Sequence, residues 1–143
     1  MIRTASFLLL AAAGIACGRP SLAADCTVSS SGVVFGSYDP LDAADTHSAG
    51  SIRLNCDEPV TASITLSGDG TADRAMRNGG SELAYQLYVD PQRRIVWGDG
   101  SGASDTVTVE GTVAERPVYA AIPARQPVTA GSYADTIVLT LSY

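Results

Sequence analysis

Along most of this sequence apolar side chains recur at every second position, in runs of about four to eight residues. Leu83, Tyr85, Leu87 and Val89 fall on one side of an extended segment, with Ala84, Gln86 and Tyr88 on the other. Ile52, Leu54 and Cys56 share a face, and Ala62, Ile64 and Leu66 alternate with Thr61, Ser63 and Thr65. Ile137, Leu139, Leu141 and Tyr143 do the same near the end of the chain. A pleated strand sends successive side chains to opposite faces, so each run offers one face to a core and one to water. Helical periodicity is absent between the runs, which excludes a helical bundle.

Turn residues punctuate the pattern at regular intervals, among them Tyr38-Asp39-Pro40, Asp57-Glu58-Pro59, Gly68-Asp69-Gly70, Asn78-Gly79-Gly80 and Asp90-Pro91. A first strand holds Val33 and Phe35, with Val28 near its start. The polar stretch from Thr71 to Ser81 reads as a long connection anchored by Met76. Gly98 to Gly102 reads as a flexible hairpin tip leading into Val107 and Val109. Val118, Tyr119 and Ile122 lie in a further strand stopped by Pro123. Six or seven short strands of this kind predict an all-β fold, an antiparallel β-sandwich of immunoglobulin-like design. The 143 residues suffice for one such domain.

The N-terminus follows a different rule. Arg3 precedes an apolar run from Phe7 to Ala16, and small residues follow at Ser21-Leu22-Ala23-Ala24. The run is too short to span a bilayer and carries the features of a signal peptide over residues 1–24, cleaved after Ala23 or Ala24, so no membrane-spanning segment is expected once it is removed. Cleavage removes Arg3 and Arg19 and takes the net charge from -6 to -8. Cys17 follows Gly14-Ile15-Ala16, a poor form of the box that precedes a lipid-modified cysteine. The exported domain then spans residues 25–143 and keeps an even pair of cysteines, Cys26 and Cys56, predicted to form one disulfide in an oxidising space. Closing that loop is worth roughly 3–4 kcal/mol by the chain-entropy argument.

Composition removes several classes of function. The chain has nine basic residues, all arginine, against fifteen acids, the reverse of a surface that tracks nucleic-acid phosphates. His47 is the sole histidine and there is no lysine, which leaves almost no material for nucleophile and base pairings. Asp42 with Asp45, or Asp57 with Glu58, could flank a glycosidic bond, but acids in such turns are more often turn formers. Two glycine-aspartate loops, at Gly68 to Asp73 and Gly98 to Gly102, lack the spacing of a calcium loop. Trp97 and the tyrosines could line a sugar-binding surface, yet at alternating positions such residues more often pack in a core. No catalytic residue, cofactor site or metal site is assigned.

Five segments occur in an order that resembles the spore coat protein U domain across the whole exported chain. They are Cys26 with Phe35-Gly36-Ser37-Tyr38, the strand Ser51 to Cys56, Leu83 to Asp90, Trp97-Gly98-Asp99-Gly100, and the ending Gly131 to Tyr143. That domain resembles the subunit module of archaic chaperone-usher pili in Gram-negative bacteria, secreted fibres of attachment and biofilm formation. The resemblance implies an incomplete immunoglobulin-like sandwich that lacks its final strand and carries an apolar groove beside the last one. It implies a periplasmic chaperone, an outer-membrane usher and neighbouring pilus subunits as partners, with transit through the periplasm to a surface fimbrium. By the same analogy Ile137, Leu139 and Leu141 form the groove wall and chaperone contact, and Tyr143 is the terminal anchor.

Strand addition from another chain would fill such a groove. Tyr143 stands at the last position with the strand pattern still running, consistent with a missing partner strand. Shaft pilins carry an alternating apolar donor segment before their first cysteine, whereas cleavage at Ala23 or Ala24 leaves one or two residues there. This predicts a tip-side subunit, or a secreted relative that does not polymerise. The alternative is a free-standing binding module, stable without a helper.

Overall fold

The computed structural model describes residues 23–67 and 72–143. The signal-peptide reading and Cys17 lie outside those residues apart from Ala23 and Ala24, and so do Gly68 to Thr71 of the first glycine-aspartate loop. Among the described residues nine strands follow one another: β1 (Cys26–Ser30), β2 (Thr46–Ser67), β3 (Ala75–Asn78), β4 (Ser81–Ala84), β5 (Gln86–Tyr88), β6 (Val96–Trp97), β7 (Ser104–Asp105), β8 (Val107–Ile122) and β9 (Val138–Ser142). The described residues contain no helix. The main sheet runs β1-β2-β8-β5-β6-β7, with β9 also on β2, while β3 and β4 pair by themselves.

Two long strands form the spine. β2 covers 22 residues and β8 covers 16, where the turn chemistry of the sequence predicts shorter, separate strands. The Asp57-Glu58-Pro59 turn is a bulge instead: β2 pairs with β8 up to Asn55 opposite Val113 and resumes with Val60 opposite Gly111. A bulge absorbs Pro59, which has no N–H to give a ladder, and bends the strand without ending it. Across the bend the inward positions of β8 change from odd, at Val107 and Val109, to even, at Val118, Ala120 and Ile122, so both halves face one core. Pro117 is tolerated within β8 for a related reason. Its partner Ser51 directs its own N–H and C=O to Ser31, away from β8, so no N–H is wanted from Pro117 at that pair.

Other expectations change for identifiable reasons. Val33 and Phe35 pack against the core but belong to no strand, because Gly32 and Gly36 take φ of 69° and 75° on either side of them. Val28 faces solvent at 41% exposure. The run from Leu83 to Val89 breaks at Tyr85, whose N–H goes to Arg74 O, so that β4 pairs with β3 and β5 with β8. The predicted connection around Met76 is thereby half strand. Gly98 to Gly102 is no hairpin tip, since β6 and β7 pair in parallel.

The core holds Ile52, Leu54, Cys56, Ala62, Ile64, Leu66, Leu83, Tyr85, Leu87, Trp97, Val107, Val109, Val118, Ala120 and Ile122. Trp97 is fully buried and donates its indole N–H to Ile64 O at 3.0 Å. Beside it lies a buried guanidinium. Arg74 Nη2 donates to Leu66 O and Trp97 O, each at 2.9 Å, and Nη1 to Gln86 Oε1. One side chain thus joins the end of β2 to β5 and β6, and burial lowers its pKa.

Candidate functional site: an open apolar groove

The sandwich is open along one side. A groove of about 970 Å³ reaches the core there, with Ile52, Leu66, Leu83, Tyr85, Leu87, Val118 and Ile122 at its bottom. One wall is the segment after β1, carrying Val33, Phe35 and Tyr38. The other is the segment between β8 and β9, carrying Val128, Tyr133 and Asp135 and continuing into Ile137 and Leu139. β9 lies along one edge of β2 from Ser67 opposite Val138 to Ser63 opposite Ser142, and its second edge has no strand partner among the described residues. Free N–H and C=O groups therefore border an apolar slot.

Each wall is anchored by chemistry visible on the chain. The disulfide between Cys26 and Cys56 joins β1 to β2 at their first paired position and fixes the start of the first wall. That wall continues through Ser31 N–H to Ser51 O at 3.0 Å and Ser48 Oγ–H to Val34 O at 2.6 Å. Gly50 lies beneath it, and a Cβ there would stand 2.1 Å from Gly32 O, so no other residue fits that crossing. Phe35 meets Tyr85 edge-on, ring centroids 6.0 Å apart.

The β3–β4 hairpin holds the second wall. Arg77 and Ala134 exchange two backbone hydrogen bonds, Tyr133 Oη donates to Ser81 Oγ at 2.7 Å, and Gln126 brackets the backbone of Ala84 through its side-chain amide. Tyr85 Oη donates to Asp135 Oδ2 at 2.7 Å. Burial, then the bond to Asp135, pushes the Tyr85 phenol pKa well above its usual range.

The four residues expected at the groove are placed differently. Ile137 and Leu139 line it. Leu141 is half-buried and packs against the core, but it lies beyond the groove's lining. Tyr143 is 57% exposed and is not among the lining residues. Sequence reasoning overlooked Phe35, Tyr38, Tyr85, Val128, Tyr133 and Gln126. The Phe35-Gly36-Ser37-Tyr38 segment carried the only signal, aromatic residues flanking a glycine outside any strand.

The acids considered for catalysis have local occupations. Asp45 Oδ1 accepts Ala124 N–H at 2.9 Å and Asp57 Oδ1 accepts Asp25 N–H at 2.8 Å. In the second glycine-aspartate loop, Asp99 caps its own turn by accepting from Ser101 Oγ–H and N–H, which lowers its pKa. Trp97 is buried and cannot present a ring to a sugar.

An all-β sandwich built on two bent spine strands, with a slot beside its last strand, has the fold of chaperone-usher pilus subunits. One similar solved structure is the CsuC–CsuE chaperone–tip adhesion subunit pre-assembly complex from the archaic chaperone-usher Csu pili of Acinetobacter baumannii. The likeness has a TM-score of 0.57 at 21% identity and covers 85% of this chain but only 40% of that one. The chain belongs to the spore coat protein U domain family, whose pattern matches residues 12–140. It is 36% identical to Protein U of Myxococcus xanthus over 76% of this chain and 70% of that protein.

Proposed function

We propose that this protein is a secreted structural subunit of a chaperone-usher type pilus, with a role in adhesion and biofilm formation and no enzymatic activity. The observation that carries the proposal is the groove: an apolar slot open to the core beside the unpaired edge of β9. An extended segment of another polypeptide fits this arrangement on both counts, since its backbone can pair with β9 while alternate side chains enter the slot. A periplasmic chaperone supplies that segment first, and a neighbouring subunit replaces it at the outer-membrane usher. Ile137, Leu139 and Leu141 are the chaperone-contacting face, with Tyr143 at its end. The subunit passes through the periplasm and resides in the surface fimbrium. A tip-side position is the finer reading, because cleavage after Ala23 or Ala24 would leave only one or two residues ahead of Cys26, too few for an alternating apolar donor segment.

Four apolar side chains entering the slot at about 1.5–3 kcal/mol each would add roughly 6–12 kcal/mol, comparable with the net stability of a whole domain. The isolated subunit is therefore expected to be marginal. Periplasmic expression with and without a candidate chaperone tests the proposal. Low yield alone with recovery as a stoichiometric complex supports it, and a Leu139→Asp variant should lose that recovery. A cooperative, helper-free monomer in good yield favours the free-standing binding module instead. Mass spectrometry of the mature N-terminus, with an assay for self-polymerisation, tests the tip position, which shaft-like homopolymers would refute.

A further inference from the structure

The two walls of the groove are joined at one end. Tyr38, in the first wall, donates from Oη to Pro123 O at 2.9 Å and accepts Gln126 N–H at 2.8 Å, both in the segment that begins the second wall. Asp45 reinforces the junction by accepting Ala124 N–H at 2.9 Å. Between these two attachments sits Arg125 at φ 59°, a left-handed conformation that a residue with a Cβ adopts only when its surroundings impose it. The bend at Arg125 turns Gln126 so that its backbone meets Tyr38 while its side chain holds both backbone groups of Ala84. Beyond this junction both segments line the groove, one back to Gly32 and the other forward to Ile137 and Leu139.

We infer that the groove is blind: the Tyr38–Gln126 clasp is a stop that limits how far an added strand can extend and so sets its register against β9. The occupant is an extended segment of another chain with apolar residues at alternate positions. The alternation is dictated by β9 and the residue before it: Ile137, Leu139 and Leu141 are turned inward while Val138 and Thr140 face out. Such a segment is laid in from the Leu139 end and stops at the Tyr38 phenol. Because strand pairing permits slippage in steps of two residues without changing which face is apolar, pairing alone leaves the register open and a physical stop closes it. This inference rests on the proposed strand-accepting role of the groove.

The test uses the exported protein refolded with a nested series of synthetic peptides of alternating isoleucine and threonine, lengthened by two residues at a time from about five. Thermal midpoint and peptide retained on gel filtration are measured for the wild type, Tyr38→Phe and Gln126→Ala. In the wild type the midpoint should rise with length and then level off. In the two variants the plateau should move to longer peptides by about one inward side chain, two residues. An unchanged plateau in both variants overturns the clasp while leaving strand acceptance standing. Failure of every peptide to stabilise the wild type overturns strand acceptance and the clasp together. Hydrogen exchange at the Gln126 amide of the wild type needs no variant to fold: continued protection with the longest peptide bound supports the stop, and lost protection means the strand passes through it.

Discussion

Tyr85 and Asp135 lie 50 residues apart in the chain, and the phenol of one donates a 2.7 Å hydrogen bond to the carboxylate of the other. The bond ties the floor of the groove, where the Leu83 to Val89 run breaks, to the wall that leads into β9. Tyr85→Phe keeps the ring against Phe35 and removes only this tie. Asp135 is exposed and stays solvated, so the loss should be modest, about 1 kcal/mol in a denaturant titration.

The same bond has a consequence at high pH. A phenol held neutral by burial keeps its proton in the folded state beyond the point, about pH 10, at which the unfolded phenol ionises. The folded pKa is raised, so its contribution is complete below about pH 10 and is lost as pH rises towards the folded value. Stability measured from about pH 9 to 12 should fall more steeply in the wild type than in Tyr85→Phe.

At the acid end the relevant group is Asp90, whose carboxylate accepts the backbone N–H groups of Ile95 and Arg94. Those bonds lower its pKa, so the contribution is present above the unfolded value of about 3.9 and is lost as pH falls through the folded one. Asp90→Asn retains an acceptor oxygen but does not titrate. Its unfolding midpoint should vary less between about pH 5 and pH 2 than that of the wild type.

Arg74 offers a spectroscopic test, because Trp97, whose carbonyl it holds, is the single tryptophan of the chain. Arg74→Ala leaves two buried carbonyls, Leu66 O and Trp97 O, without this donor. A destabilisation of about 2–4 kcal/mol is expected from two such groups, with a red shift of the Trp97 emission as water reaches the site. Arg74→Lys should recover only part of the loss, since an ammonium cannot reproduce the planar fork.

Replacing both Cys26 and Cys56 with alanine should cost roughly 3–4 kcal/mol in the unfolding free energy. It should also release the wall that β1 anchors. Limited proteolysis should then cut near Phe35 and Tyr38 faster than elsewhere, whereas uniform cleavage would show that the Ser31 and Ser48 hydrogen bonds hold that wall unaided.

Much of the fold could be read from the chain because a period of two is a local property. Ile52, Leu54 and Cys56, then Ala62, Ile64 and Leu66, then Leu83, Tyr85 and Leu87 all alternate in the sequence and all face the core. The cysteine pair was equally legible. Strand boundaries were not, because a turn such as Asp57-Glu58-Pro59 has the same local chemistry whether it reverses the chain or forms a bulge. Gly111 and the β8 ladder across from it make the choice.

The site shows the same division. The apolar residues of β9 were evident from their alternation, but their depths were not: Leu139 meets the groove while Tyr143, on the same side of the pattern, is mostly in solvent. Nothing near Arg74 in the sequence marks it as buried, since its partners at Gln86 and Trp97 come from later strands. Tyr38 and Gln126 are 88 residues apart. By itself the sequence determined which side chains are turned towards a core, because alternation is written into each strand. Only the tertiary structure decided that the core stays open on one side, between walls tied together at Tyr38, because an opening is defined by walls that meet through contacts distant along the chain.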